Sequence, residues 1–322
     1  MDELLRHLKD SRRVLLASHA NPDGDAIGSL IAMGLSLQAM NKETTLFNES
    51  QIPAVYRFLP LVDRVVRSIG DVSRFDTAVI LDCGNLDRIG GAAEAVARIP
   101  VIINIDHHIT NSGFGDVRLV DPSACATAEI LWRILGRLGV ELNASIASAV
   151  YTGILTDTGS FRFSNTNRAA FAICNELVGL GVDPYIVAKH VYGTYSLGRI
   201  KLLNLALDSI ELSPNGKLSM MTLTRQMLEE TGTRSEDAEG LINYARSIKD
   251  VKVTALIQEG PNGGPGPRGP SYHVSLRSDG SVDVADFAAA YGGGGHASAA
   301  GFSIDARLPE IKSDLIRMAE AL

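Results

Sequence analysis

Val101-Ile102-Ile103-Asn104-Ile105-Asp106-His107-His108 is the stretch that decides the fold. An apolar run of strand length stops at a carboxylate and two imidazoles. Charged groups at the end of a buried strand are costly unless something pairs with them, and a metal ion does so. Two other apolar runs end in the same way. Val14-Leu15-Leu16-Ala17 leads into Ser18-His19-Ala20-Asn21-Pro22-Asp23-Gly24-Asp25, and Ala78-Val79-Ile80-Leu81 leads into Asp82-Cys83-Gly84-Asn85. In an open parallel sheet the carboxyl ends of the strands meet at one crevice. Three strands that deliver His and Asp to one edge predict a carboxylate-rich metal centre.

Outward from these runs, residues 1–190 alternate between strand and helix patterns. Strands are predicted at 14–18, 44–47, 78–81, 101–105 and 117–120, and helices at 4–8, 26–40, 91–98, 127–138 and 144–155. Such alternation implies parallel pairing, because each crossover needs a helix. Residues 184–207 lack strand character and read as a helical connector. Beyond them the texture changes. Strands are predicted at 218–223, 251–258 and 272–277, with helices at 235–248, 284–291 and 308–322. Residues 261–270 are rich in Gly and Pro and read as a mobile surface loop between two strands. The expected class is α/β. An N-terminal parallel sheet with helices on both faces spans 1–190, a helical linker 191–212, and a smaller α/β domain 213–322.

A length of 322 residues suits two domains. Hydrophobic residues make up 45% and charged residues 21%, as in an ordinary globular protein. The formal net charge of −7 argues against a broad grip on duplex nucleic acid. It leaves room for a short nucleotide whose phosphates meet metals and a few local cations. Cys83, Cys125 and Cys174 form no C-x-x-C pair, and an odd count disfavours a disulfide framework. A reducing, cytoplasmic setting is expected. The first residues lack the layout of a secretory signal, and no stretch has the length of a membrane span.

Asp23 and Asp25 flank Gly24, which lets the backbone turn tightly between them. Either could simply cap the following helix, where negative charge is favoured. His19, four residues earlier at a strand end, shifts the balance toward metal binding. Asp82 alone would read as a turn residue, and Asp157 in Thr156-Asp157-Thr158-Gly159 as a helix stop. Their value lies in coincidence, since four separate apolar segments end in Asp or in Asp with His. The donors are hard oxygens and imidazoles, which suits Mn²⁺ or Mg²⁺ better than a structural zinc site. Cys83 would point to the opposite face of an extended segment from Asp82. Paired ions held by six to eight such ligands serve phosphoryl transfer to water.

A second cluster is Tyr291-Gly292-Gly293-Gly294-Gly295-His296-Ala297-Ser298-Ala299-Ala300-Gly301. Its glycines expose N–H groups to an anion. The Ala-rich segment after it is predicted to be helical, with its N-terminus under the glycines. The run also satisfies a dinucleotide fingerprint, but it follows a helix and no βαβ unit surrounds it, which speaks against NAD. Arg277-Ser278 could supply a cation for a second phosphate. Arg162 and Asn165 could face substrate. His7, His190 and His273 read as surface or packing residues, and Trp132 as core.

Taken together, the chain resembles the DHH phosphoesterase superfamily with its DHH-associated C-terminal domain. The matching motifs are His19-x-x-x-Asp23-x-Asp25, Asp82, Asp106-His107-His108, Thr156-Asp157-Thr158-Gly159-x-Phe161 and Gly293-Gly294-Gly295-His296-x-x-Ala299-Ala300-Gly301. They run nearly from end to end in the family's order. Length and layout resemble the NrnA-type branch of nanoRNases and pAp phosphatases. The resemblance implies two Mn²⁺ ions, with Mg²⁺ or Co²⁺ as alternatives. One ion would take His19, Asp23 and Asp82. The other would take Asp25, Asp82, His107 and Asp157, with Asp82 bridging. His108 would contact the scissile phosphate or orient the site, and Asp106 would support the metal-bound His. Arg277, Ser278, Gly293, Gly294, Gly295 and His296 would hold the substrate.

The implied substrates are single-stranded RNAs of about two to five nucleotides, linear dinucleotides such as pApA or pGpG, and 3′-phosphoadenosine 5′-phosphate (pAp). The implied chemistry is a two-metal hydroxide mechanism. No membrane partner is expected, and a homodimer is allowed. The alternatives are another DHH-type phosphohydrolase, acting on cyclic dinucleotides, longer single strands or pyrophosphate, or a non-catalytic nucleotide-binding regulator.

Overall fold

The structure, a computed structural model, describes residues 1–260, 270–320 and 322, and the backbone alone at His296. The expected mobile loop therefore lies, apart from Pro270, outside the described residues. The chain divides into two compact units, Met1–Thr194 and Tyr195–Leu322.

In the first unit, strands β1 (Arg13–Ser18), β2 (Glu43–Phe47), β3 (Thr77–Leu81), β4 (Val101–Asp106) and β5 (Val117–Val120) form one sheet in the order β2-β1-β3-β4-β5. All four pairings are parallel. The helices are α1 (Asp2–Asp10), α2 (Gly24–Ala39), α3 (Ala93–Val96), α4 (Thr127–Leu138), α5 (Ala144–Asp157), α6 (Arg168–Gly179) and α7 (Pro184–Tyr192). The sheet is buried on both faces. Leu15, Ala17, Ala78, Ile80 and Ile102 join a core with Ile89, Ala93 and Val96. Side chains alternate along a strand, so Leu16, Val79 and Ile103 face the other side, where α2 and α4 lie against β1 and β4. The chain leaves β1 toward β2 on one side and returns through β3 on the other. That reversal opens a crevice at the carboxyl ends of β1 and β3.

The second unit holds helix α8 (Leu197–Asp208), strands β6 (Glu211–Leu212) and β7 (Leu218–Leu223), α9 (Arg225–Thr231), α10 (Ile242–Arg246), β8 (Val253–Glu259), β9 (Ser271–Ser278), α11 (Val284–Ala290), β10 (Gly294–His296), β11 (Ala299–Asp305) and α12 (Leu308–Glu320). Its sheet order is β10-β11-β9-β8-β7-β6, with only β7 and β8 parallel. On one face Val253, Ala255, Val274 and Leu276 pack with Val284, Ala288, Ile311 and Leu315. On the other, Met221, Leu223 and Leu256 pack with Leu202, Ala206, Ile242 and Ala245. Helix α8, within the expected linker, is thus part of this second core.

Two expectations need correction. The helix predicted over 235–248 is a 3-10 turn at Ser235–Ala238 followed by the short α10. The break falls at Gly240, whose φ of +80° no helix accommodates. The Ala-rich segment after the glycines is a strand, β11, hairpinned on β10. A Cβ on Gly293 would stand 2.1 Å from the Gly301 carbonyl oxygen, and one on Gly295 2.4 Å from the Ala299 carbonyl oxygen, so these two glycines serve close strand packing.

Candidate metal centre

Strand β1 ends at Ser18, and the next residue, His19, turns into the crevice. Its Nδ1 lies 2.9 Å from the Ala20 carbonyl oxygen, and Nε2 lies 3.5 Å from Asp82 Oδ2 and 3.9 Å from Asp23 Oδ1. Asp23 caps α2 as well, accepting the N–H groups of Asp25 at 3.1 Å and Ala26 at 3.0 Å. At the end of β4, His107 Nδ1 lies 3.2 Å from the Ala124 carbonyl oxygen. Its Nε2 lies 3.6 Å from Asp157 Oδ2, 3.7 Å from Asp82 Oδ1 and 3.9 Å from Asp25 Oδ2. A carbonyl accepts only from N–H, so each ring carries a proton on Nδ1 and turns Nε2 toward the carboxylates.

Asp82 stands in the middle. Its φ is +57°, a left-handed conformation that a non-glycine residue adopts only where its surroundings hold it. Oδ2 faces His19 and Oδ1 faces His107 and His108. The donors fall into three overlapping groups: His19, Asp23 and Asp82; Asp82, His107 and His108; and Asp25, His107 and Asp157. Within each group the ligating atoms lie within 4.8 Å of one another.

Close packing of α2 on α5 brings Asp25 and Asp157 together. A Cβ on Gly24 would stand 2.3 Å from Thr156 Oγ1, and one on Gly28 would stand 2.4 Å from the Ala149 carbonyl oxygen. Gly153 faces Asp25 in the same manner, where a Cβ would come within 2.7 Å of Oδ1. The start of α4 then grips Asp25. Thr127 N–H donates to Oδ2 at 2.6 Å and Ala128 N–H to Oδ1 at 2.9 Å, while Thr127 Oγ1 donates to Asp82 Oδ1 at 3.0 Å. A helix N-terminus favours such an anion. Asn165 fixes Asp157, donating through Nδ2 to its Oδ2 at 3.2 Å and to its carbonyl oxygen at 3.1 Å.

The donor set fits divalent cations. Asp25, Asp82 and Asp106 are buried, with Asp23 and Asp157 half-buried, and among the described residues only histidines lie within ion-pair range of them. Buried carboxylates without a cation are strongly unfavourable. The contacts of 3.5 to 3.9 Å exceed a hydrogen bond but approach the spacing of donors that share one ion. Metal–oxygen bonds of about 2.1 Å put adjacent donors roughly 3 Å apart. Burial pushes the Cys83 thiol well up, which leaves the site without a thiolate.

The electrostatics agree. Burial opposes the charged form of Asp82, yet the neighbouring His19, then His108 and His107, outweigh it and hold the carboxyl below the usual range. Burial also opposes a charged His107, but Asp157, Asp82 and Asp25 lift it to about 9. Asp157 is pushed up to about 6 by burial, then by Asp23 and Asp82, against His107.

His108 is set apart by its support. Its Nδ1 lies 2.7 Å from Asp106 Oδ1, and Asn111 Nδ2 donates to Asp106 Oδ2 at 2.6 Å. Asn111 Nδ2 also donates to Asn104 Oδ1 at 2.8 Å, and Asn104 Nδ2 to the Cys83 carbonyl oxygen at 3.1 Å. This network joins the loops after β3 and β4. Sequence reasoning missed Asn104, Asn111 and Thr127. An Asn inside an apolar strand was the one available signal.

Comparison with known proteins gives the family of both halves of the chain. Residues 13–154 match the DHH family, N-terminal domain, and residues 218–321 match the DHHA1 domain. The chain is 33% identical over 294 residues to the bifunctional oligoribonuclease and PAP phosphatase NrnA of Thermus thermophilus, covering 90% of this chain and 84% of that one. The chain belongs to the DHH family. The Bacillus subtilis protein of the same name is 28% identical, over 94% of this chain and 92% of that one. Since that alignment spans 310 residues, it takes in both units. A crystal structure of an exopolyphosphatase-related protein from Bacteroides fragilis superposes with a TM-score of 0.87 at 26% identity, covering 99% of this chain and 95% of that one.

Within the DHHA1 region of this DHH-family chain, Arg277 lies on β9 opposite Ala299 of β11, and its Nη1 donates to the Leu276 carbonyl oxygen at 2.9 Å. Gly294 and Gly295 lie on β10, with Gly293 just before it. The His296 side chain lies outside the described residues. Ser278 is buried. Its buried Oγ accepts the N–H groups of Gly280 at 2.9 Å and Val282 at 3.3 Å, which closes the turn after β9. Arg162 donates through Nε to the Gly159 carbonyl oxygen at 2.7 Å. His190 stacks on Phe58, His273 meets Ser303, and Trp132 is half-buried rather than core, donating to Glu176.

Proposed function

We propose that this DHH-family chain is a divalent-metal-dependent phosphohydrolase. It hydrolyses oligoribonucleotides a few nucleotides long, linear dinucleotides such as pApA and pGpG among them, to mononucleotides. It also removes a phosphate from pAp. The names of its relatives, oligoribonuclease and PAP phosphatase, support RNA and pAp as substrates. One observation carries the chemistry: the two oxygens of Asp82 face two different donor groups. That is the position of a carboxylate bridging two ions.

In this reading His19, Asp23 and Asp82 would hold one ion, and Asp25, Asp82, His107 and Asp157 would hold the other. Mn²⁺ suits the mixture of carboxylate and imidazole, with Mg²⁺ or Co²⁺ as substitutes. Bound there, the ions would neutralise phosphate oxygens and acidify a water. The chain's own residues do the rest. The Ala20 and Ala124 carbonyls fix the tautomers of His19 and His107, so Nε2 serves as the ligand on each. Asp106 holds the Nδ1 proton of His108 and orients the ring toward the scissile phosphate. Arg277, His296 and the backbone of Gly293–Gly295 bind the substrate's terminal phosphate. A reducing cytoplasm suits the three free, buried cysteines.

The test is a time course with purified protein and Mn²⁺ on pApA, a five-nucleotide RNA, a longer RNA, pAp and pyrophosphate. Mononucleotide release from the short RNAs, with phosphate release from pAp, both abolished by chelator, is the expected result. Turnover of pyrophosphate alone, or of nothing, overturns the proposal.

A further inference from the structure

The loop between α5 and α6 starts after Asp157 and is tied back to it. It leaves through Thr158, whose Oγ1 donates to the Ile154 carbonyl oxygen at 2.7 Å and accepts the Phe161 N–H at 3.1 Å. It returns at Asn165, which donates to the Asp157 carboxylate at 3.2 Å. Three consecutive residues within it, Gly159, Ser160 and Phe161, have φ of +56°, +61° and +62°. A large aromatic residue in the left-handed region is strained, and such strain concentrates where a side chain must be aimed. Here it aims Phe161 at Phe171 in the first turn of α6. The rings stack with centroids 5.0 Å apart and planes 25° apart. Phe161 is only half-buried, and Phe171 is 56% exposed. An exposed aromatic stack forgoes burial that a core position would provide.

From these observations we infer that Phe161 and Phe171 form a stacking platform for a nucleobase of the substrate. The inference rests on the function proposed above. Phe161 lies four positions after Asp157 and four before Asn165, which is bonded to Asp157, so the chain holds the Phe161 backbone within roughly 14 Å of the Asp157 backbone. A dinucleotide with its phosphate at the metal centre carries a base on each side, within that reach. A π-face contact tolerates every base, which suits an enzyme that clears short fragments of any sequence.

The test uses a dinucleotide carrying 2-aminopurine, whose fluorescence is quenched on stacking, and a matching dinucleotide with one abasic ribose. Binding is read by fluorescence and by competition, and hydrolysis is followed separately with Mn²⁺. The expected result is quenching by the wild-type protein, a Kd about tenfold weaker for Phe171→Ala, and recovery in Phe171→Tyr. The abasic dinucleotide should bind both wild type and Phe171→Ala equally. Equal quenching by Phe171→Ala and wild type overturns the platform, as does an equal loss of the abasic ligand. Quenching that depends on Phe171 without any hydrolysis leaves the platform standing and sinks the proposed activity. Hydrolysis by wild type with no dependence on Phe171 does the reverse. Absence of both binding and hydrolysis removes both.

Discussion

The backbone N–H of Thr127 donates to Asp25 Oδ2 at 2.6 Å, across 102 residues of chain, while its hydroxyl donates to Asp82 Oδ1 at 3.0 Å. One residue at the start of α4 thus fixes two of the carboxylates. Thr127→Val keeps the backbone contact and removes the hydroxyl. We expect metal affinity to fall by about 10- to 100-fold, the usual cost of losing an outer partner of a ligand. Titration calorimetry with Mn²⁺ checks this, and an unchanged affinity would mean that the hydroxyl does not support the site.

Gly153 faces both Ala128 and Asp25. In Gly153→Ala the new Cβ would meet Ala128 Cβ at 2.6 Å and Asp25 Oδ1 at 2.7 Å, so α5 must back away from α2. Overpacking of this kind costs about 1 to 3 kcal/mol. A lower denaturation midpoint together with weaker metal binding is expected. Full stability would mean that the helix contact yields without strain.

Metal uptake should release protons. His107 sits at about 9 and Asp157 at about 6 in the metal-free protein, yet both must be deprotonated to act as ligands. Apparent affinity should therefore climb with pH between about 6 and 9. The same shift has a sign in stability. A raised His107 stabilises the metal-free fold fully below its unfolded value of 6.5, and that contribution is lost as pH rises through about 9. Calorimetry in two buffers of different ionisation enthalpy reads the proton release directly. Identical heats in both would contradict it.

Much of this site was legible in the sequence. The strand-end residues His19, Asp82 and His107 stood out because apolar runs of strand length stopped on them, and the parallel order placed those ends together. Partners that act across space did not stand out. Nothing local marks Thr127 as the donor to Asp25, and Asn111 joins Asp106 through a loop whose path no periodicity describes. Helix α6 was overlooked although its buried Ala170, Ile173, Cys174 and Leu177 follow helical spacing after the Asn167 cap. At the glycine run, helix propensity of the alanines pointed the wrong way. The decisive term was the close approach of Gly293 to Gly301, which only pairing of the strands reveals.

Asn111→Ala should separate support from metal binding. It removes the donor to Asp106 Oδ2 and leaves every donor within the three metal groups in place. Hydrolysis should drop by about 10- to 100-fold while stabilisation by Mn²⁺ persists. Loss of both together would place Asn111 in the general fold rather than behind His108.

The central claim is that Asp82 bridges two ions, and metal stoichiometry tests it most directly. Calorimetric titration of the metal-free protein with Mn²⁺ should give two ions per chain for the wild type and neither with comparable affinity for Asp82→Ala. A wild-type protein that binds no ion or one, or an Asp82→Ala variant that keeps both, would contradict the account.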